Sequence, residues 1–163
     1  MIRTIAFASV ALIAGTVAAA ALDAPAISAA PTNEWRGVAY LTAVSGCPAN
    51  SYAVGNMLRF RFSPANLAGN DTKSRLSFFQ DYFGQSFVAV GTFFSASPVT
   101  AGGGYTGGGT STSTNVPKVQ MVLDAPASLT ATSMAIAVRG TITNFYDSAG
   151  CTVSFRATGS KRP

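Results

Sequence analysis

The sequence predicts an all-β protein, a single small antiparallel β-barrel of seven to eight strands with its first and last strands adjacent. A β-sandwich is the alternative. Three observations carry this. Short segments alternate apolar and polar residues with period two and are separated by turn residues. Beyond the N-terminal segment, no long stretch keeps helical periodicity. The two cysteines stand just past the first strand segment and at the start of the last.

The N-terminus is read separately. Residues 1–21 carry Arg3, an apolar run from Ile5 to Val17 and small residues at the exit, Ala18 to Ala21. These are the parts of a secretory signal peptide. The run is shorter than the ~20 residues that span a bilayer, so the expectation is cleavage and a mature chain with no transmembrane helix. Residues 22–33, with Pro25 and Pro31, read as a flexible leader. The implied location is periplasmic or extracellular.

The strands follow in order. Residues 35–44 form a first strand, apolar on both faces. In residues 57–62, Leu58, Phe60 and Phe62 share one face and Arg59 and Arg61 the other, which places the aromatics inward. Residues 76–83 and 87–94 flank Gly84, Gln85 and Ser86, a hairpin connection. Residues 118–123 alternate Val119, Met121 and Leu123 against Lys118 and Gln120. Residues 134–145 set Met134, Ile136, Val138 and Ile142 against Arg139, Thr141 and Thr143. Residues 151–158 set Val153 and Phe155 against Thr152, Ser154 and Arg156. Residues 128–132 are a short candidate eighth strand. The domain so defined covers residues 34–160, followed by a basic tail, 161–163.

In an exported chain two cysteines pair in preference to binding metal or acting as a nucleophile. A Cys47–Cys151 disulfide meets the geometry if the first and last strands are antiparallel neighbours, as barrel closure requires. Closure also removes exposed sheet edges.

Residues 95–117 hold Gly102-Gly103-Gly104-Tyr105-Thr106-Gly107-Gly108-Gly109 and then alternating Ser and Thr. This composition reads as a long surface loop. Tyr105, with Phe93 and Phe94 beside the loop, forms the candidate binding loop. No Gly-Lys-Ser/Thr follows, so it is not a phosphate loop. Aromatics crowd the middle hairpin: Phe78, Phe79, Tyr82, Phe83, Phe87, Phe93 and Phe94. Neighbours along a strand point to opposite faces, so some of them face away from the core.

Little chemistry stands out. The chain has no His, which excludes His-based triads and His-containing metal sites. There is no nucleophile elbow and no Ser-x-x-Lys pair. No catalytic residue, metal site or cofactor is assigned. Charged residues are 10% of the chain and the net charge is +5, but the basic residues are scattered, which argues against nucleic-acid binding. Asn70-Asp71-Thr72 fits a glycosylation pattern and fits a plain turn better.

The expected function is therefore non-enzymatic: an exported envelope or extracellular β module that binds a protein, a glycan or an apolar ligand. The alternatives are a small outer-membrane β-barrel, with the Phe and Arg faces as lipid and lumen faces, a surface-fibre subunit, and a hydrolase using an acid pair such as Glu34 and Asp81.

Overall fold

The computed structural model describes residues 32–65, 67, 70, 72–81, 83–89, 99–100, 104–109 and 114–162. The signal and leader readings, up to residue 31, lie outside these, as do Phe93 and Phe94. Among the described residues ten strands follow one another: β1 (Trp35–Ser45), β2 (Met57–Ser63), β3 (Arg75–Gln80), β4 (Phe83–Ala89), β5 (Val99–Thr100), β6 (Gly104–Gly109), β7 (Lys118–Ala125), β8 (Ser128–Leu129), β9 (Ala135–Thr143) and β10 (Thr152–Lys161).

Eight of them close an antiparallel barrel in the order β1-β10-β9-β7-β6-β4-β3-β2. The first and last strands pair from Trp35↔Lys161 to Ser45↔Thr152. The fold class is the one the alternation and the cysteines predict. The barrel is a simple up-and-down meander, so its two ends differ. Among the described residues, 46–56, 81, 114–117 and 144–151 lie at the disulfide end. Residues 64–65, 67, 70, 72–74 and 126–134 lie at the other end.

Period two places the large side chains inside. Leu58, Phe60 and Phe62 from β2, Leu76 and Phe78 from β3, and Val153 and Phe155 from β10 are all within 2% of complete burial. Arg59 and Arg61 face outward and are exposed. Phe78 packs edge-on to Phe155 across the interior, with ring centroids 4.8 Å apart. Leu129 is buried at the far end, where Trp35 Nε1 donates to the Ser133 carbonyl at 3.1 Å. A small eight-stranded barrel filled in this way is a packed core rather than a cup.

β1 departs from strict alternation for a local reason. Its ladder with β10 runs Leu41↔Phe155 and then Ala43↔Ser154, which leaves Thr42 as a bulge. Trp35, Ala39 and Leu41 are buried, whereas Val38 and Tyr40 are 44% and 43% exposed. The strand is apolar on both faces, as expected, but only one face is core.

Five expectations are corrected. The hairpin connection is not Gly84-Gln85-Ser86. Gln80 pairs with Phe83, so the turn begins at Asp81 and Gly84 to Ser86 sit inside β4. Gly84 is there because the Phe79 ring lies across it: a Cβ would meet Phe79 Cδ1 at 2.9 Å. Second, the expected loop 95–117 contains strand β6, paired to β4 through Gly107–Gly109 and to β7 through Gly104–Gly108. Third, residues 128–132 do not supply the eighth barrel strand. Ser128–Leu129 pairs with Val99–Thr100 in a separate two-stranded ribbon. Fourth, Lys161 is not tail. It closes β10 opposite Trp35, its N–H donates to the Met134 carbonyl at 2.7 Å, and its ammonium contacts the Ala131 carbonyl. Met134, expected inward, precedes β9 and is 70% exposed.

Asn70 carries more than a turn. Its Oδ1 accepts from the Asn33 N–H at 2.9 Å, and its Nδ2 reaches Asn33 O, Ser63 Oγ and Pro64 O. These contacts tie the segment before β1 to the end of β2.

Candidate functional site

The candidate site is the disulfide end of the barrel. Cys47 and Cys151 are bonded, with Cα atoms 4.1 Å apart and a sequence separation of 104. The bridge sits just beyond the last β1–β10 pair, Ser45↔Thr152, two residues past Ser45 and one before Thr152. It therefore joins the segment after β1 to the segment before β10 at the rim. Gly46 and Gly150 flank it, both with positive φ, and a Cβ on Gly46 would meet the Gly150 carbonyl oxygen at 2.5 Å. Only glycine allows that approach.

From this staple two segments fold over the barrel mouth. The segment after Cys47 is anchored by Gly55 N–H to Leu41 O at 2.8 Å and by Ala53 N–H to Asn56 Oδ1 at 2.8 Å. The segment before Cys151 makes a single 3₁₀ turn at Phe145–Asp147. Phe145 N–H donates to Cys151 O at 3.0 Å, and Gly150 N–H donates to Asn144 Oδ1 at 3.1 Å. Phe145 is fully buried and closes the core from above. Tyr52 packs edge-on to it at 4.8 Å and stacks on Tyr146 with centroids 5.9 Å apart and planes 14° apart.

These residues line a cleft of about 840 Å³ together with the β3–β4 turn: Ser51, Tyr52, Gln80, Asp81, Gln85 and Tyr146, with Asp147 at its side. Its lining combines the aromatic pair with the Asp81 and Asp147 carboxylates and the Gln80 and Gln85 amides. Burial pushes the phenols up from their ordinary pKa of 10.0. Tyr52 is raised by desolvation, and Tyr146 is pushed up to about 12 by desolvation first and by the neighbouring Tyr52 second. Both rings enter neutral-pH chemistry as hydroxyls, not phenolates.

Two features of the cleft are unusual. Gln85 is 6% exposed, and its Oε1 accepts no hydrogen bond. It faces the inner side of β4, opposite Phe78. A buried amide oxygen without a donor costs about 1–3 kcal/mol. In addition, Asn50, Asp81, Asn144, Tyr146 and Asp147 all have positive φ, and all five belong to the segments at this end. Left-handed backbone at non-glycine residues is costly and concentrates where geometry serves a site.

The sequence-predicted residues fall as follows. Cys47 and Cys151 meet. Tyr105 lies in β6 and is fully buried, with its ring over Gly107, where a Cβ would come within 2.6 Å of the hydroxyl. It packs edge-on to Phe62 at 5.8 Å. The loop that was to present it is strand, so Tyr105 is core. Glu34 and Asp81 are not brought together. Glu34 precedes β1 at the far end and contacts Arg36, whereas Asp81 follows β3 at the disulfide end. Among the described residues no group of three or more His, Cys, Asp or Glu side chains is placed to hold a metal ion. Sequence reading missed Tyr52, Gln85, Tyr146 and Asp147. The signal for two of them was Asn144-Phe145-Tyr146-Asp147, an aromatic pair set between turn-forming residues just ahead of a cysteine.

No family model, no curated protein and no solved structure matches this chain.

Proposed function

We propose that the protein is an exported, non-enzymatic β-barrel module that binds a hydroxyl-rich ligand, a glycan, in the cleft at its disulfide end. The observation that carries this is the unpaired Gln85 Oε1 under a wall of stacked tyrosines. An acceptor left without a donor fits a ligand that supplies hydroxyl donors. The faces of Tyr52 and Tyr146 suit the C–H faces of a sugar ring, and Asp81 and Asp147 add acceptors at the rim. A filled barrel interior argues for binding at the mouth rather than carriage of an apolar ligand inside.

The disulfide supports the exported reading, since such bonds persist in oxidising compartments. Among the described residues no helix is long and apolar enough to cross a membrane, which is silent about strands. The polarity of the wall does speak to strands. Arg59, Arg61, Arg139 and Arg156 face outward, and Phe60, Phe62, Phe78 and Phe155 face inward. An outer-membrane barrel needs the opposite arrangement, with an apolar outer band.

The test is calorimetry of the full mature chain against a panel of neutral oligosaccharides, with Gln85→Leu and Tyr146→Ala as variants. Binding by the native protein and its loss in both variants is expected. Gln85→Leu should also raise the thermal midpoint, because it removes a buried unpaired acceptor. The reading fails if no oligosaccharide binds, or if Gln85→Leu lowers stability as a structural residue would.

A further inference from the structure

The geometry points to a second binding surface, on the outer wall of β1, β2 and β10, that holds an acidic polysaccharide chain through its arginines. This surface adjoins the cleft at the mouth, with Asp81 and Gly84 on the border of both, but its arginines lie outside that cleft.

The placement of the arginines is the starting point. Arg36 on β1 lies directly opposite Arg61 on β2, and Arg156 on β10 lies directly opposite Arg139 on β9. Like charges facing each other across a ladder destabilise a sheet, so stability does not account for either pair. In each pair one member is neutralised. Arg36 contacts Glu34, and Arg139 contacts Asp124. The other member, Arg61 or Arg156, has no carboxylate partner among the described residues, and neither has Arg59.

The arginines are also held in place and interleaved with apolar surface. The Arg61 guanidinium lies 5.2 Å from the centroid of the Phe79 ring, and that ring is seated against Gly84. Stacking orders the guanidinium without neutralising it. Tyr40 stands between Met57 on one side and Arg156 on the other, and both Tyr40 and Met57 are exposed, at 43% and 70%. Beside them a groove of about 450 Å³ runs along Arg36, Arg59, Arg61 and Phe79 and ends at the Asp81 carboxylate, so three guanidiniums face one acid along it.

The chemistry and the shape together select the occupant. Guanidinium forks pair with carboxylate or sulfate oxygens in bidentate fashion. Tyr40 and Met57 offer flat apolar contacts between the charges, as a sugar ring requires. From β2 to β10 is two strand spacings, roughly 10 Å around the barrel, so the unpaired charges follow the girth of a convex wall. A flexible chain can bend along that path. A flat anionic bilayer meets a convex wall along a narrow strip and reaches few of these arginines at once.

The experiment uses the full mature protein and immobilised polygalacturonate, with neutral dextran, anionic phospholipid vesicles and a single-stranded oligonucleotide as comparison arms. The native protein should bind polygalacturonate and release it as salt rises, and it should not bind dextran. Arg59→Gln with Arg61→Gln should lower the affinity roughly tenfold or more. Lys118→Gln, on β7, three strands from β1 in the barrel order, should change little. Circular dichroism melts establish that each variant is folded. The inference is overturned if polygalacturonate does not bind, if Lys118→Gln weakens it as much as the arginine pair, or if vesicles or oligonucleotide bind as tightly. Gln85→Leu should leave this binding intact, which separates the wall from the mouth.

Discussion

Gly140 lies directly opposite Phe155 on the β9–β10 ladder, and the Phe155 ring fills the space that a Cβ on Gly140 would occupy, with Cζ 2.7 Å from the built position. Gly140 holds the inward slot between Val138 and Ile142, where the period-two pattern calls for a large apolar residue. Its emptiness lets the Phe155 ring lie down in the core and reach Phe78. A glycine that would weaken a strand elsewhere is here half of a two-residue packing unit.

Gly140→Ala should therefore destabilise the barrel by about 1–3 kcal/mol, the usual cost of overpacking. The added methyl also approaches the Gln120 carbonyl oxygen at 2.4 Å, which is backbone and gives little. Chemical denaturation of the variant measures the change. A stability equal to or above the native protein's would show that the ring has room to move.

The disulfide joins strands that are already neighbours, so its contribution lies mainly in the unfolded chain. Closing a loop of this length is worth up to about 4.7 kcal/mol in the chain-entropy account, comparable with much of a small domain's net stability. Reduction, or Cys47→Ser with Cys151→Ser, should lower the thermal midpoint markedly and leave the β-rich dichroism below the midpoint unchanged. The mouth segments, which the bridge ties to the rim, should lose amide-exchange protection before the barrel ladders do. An unchanged melt would contradict this.

The pH dependence follows from Tyr146. Its folded pKa is raised from 10.0 to about 12, chiefly by burial and secondarily by Tyr52. A raised folded pKa means that the folded state holds the proton more tightly. The stabilising effect is then fully present below pH 10 and is lost as pH climbs toward about 12. Stability should be flat in this respect from neutral pH to about 10 and should fall above it, with phenolate absorbance of Tyr146 lagging that of exposed tyrosines. Tyr146→Phe should flatten the decline. A Tyr146 titration near 10 would mean that the ring is not buried against Tyr52.

Much of the barrel was legible because its signal is local. Leu58, Phe60 and Phe62 against Arg59 and Arg61 state both the strand and its inward face, and a one-residue slip would turn every phenylalanine to water. Val119, Met121 and Leu123 do the same for β7. The adjacency of β1 and β10 was legible for a different reason: two thiols that must meet place a constraint on topology.

The glycine run was not legible. Read alone, Gly107-Gly108-Gly109 has low strand propensity. Its reason for being strand lies in the side chains that fold back over it once the sheet has formed. The Tyr105 ring needs the space over Gly107, and Pro117 packs against Gly109. Likewise the β3–β4 turn was misplaced because Gly84 looks like a turn residue until Phe79 is seen lying across it.

What the amino-acid order determined by itself was which side of each strand is apolar, that the chain is all-β, and that its ends are stapled together. These properties are written in neighbours two residues apart and in a covalent bond. Only the tertiary structure decided that the interior is filled, that Tyr105 is core, and that Tyr52, Gln85 and Tyr146 gather at one mouth while unpaired arginines line one wall. Those juxtapositions join positions separated by tens of residues, and they exist only once the sheet has curved and closed.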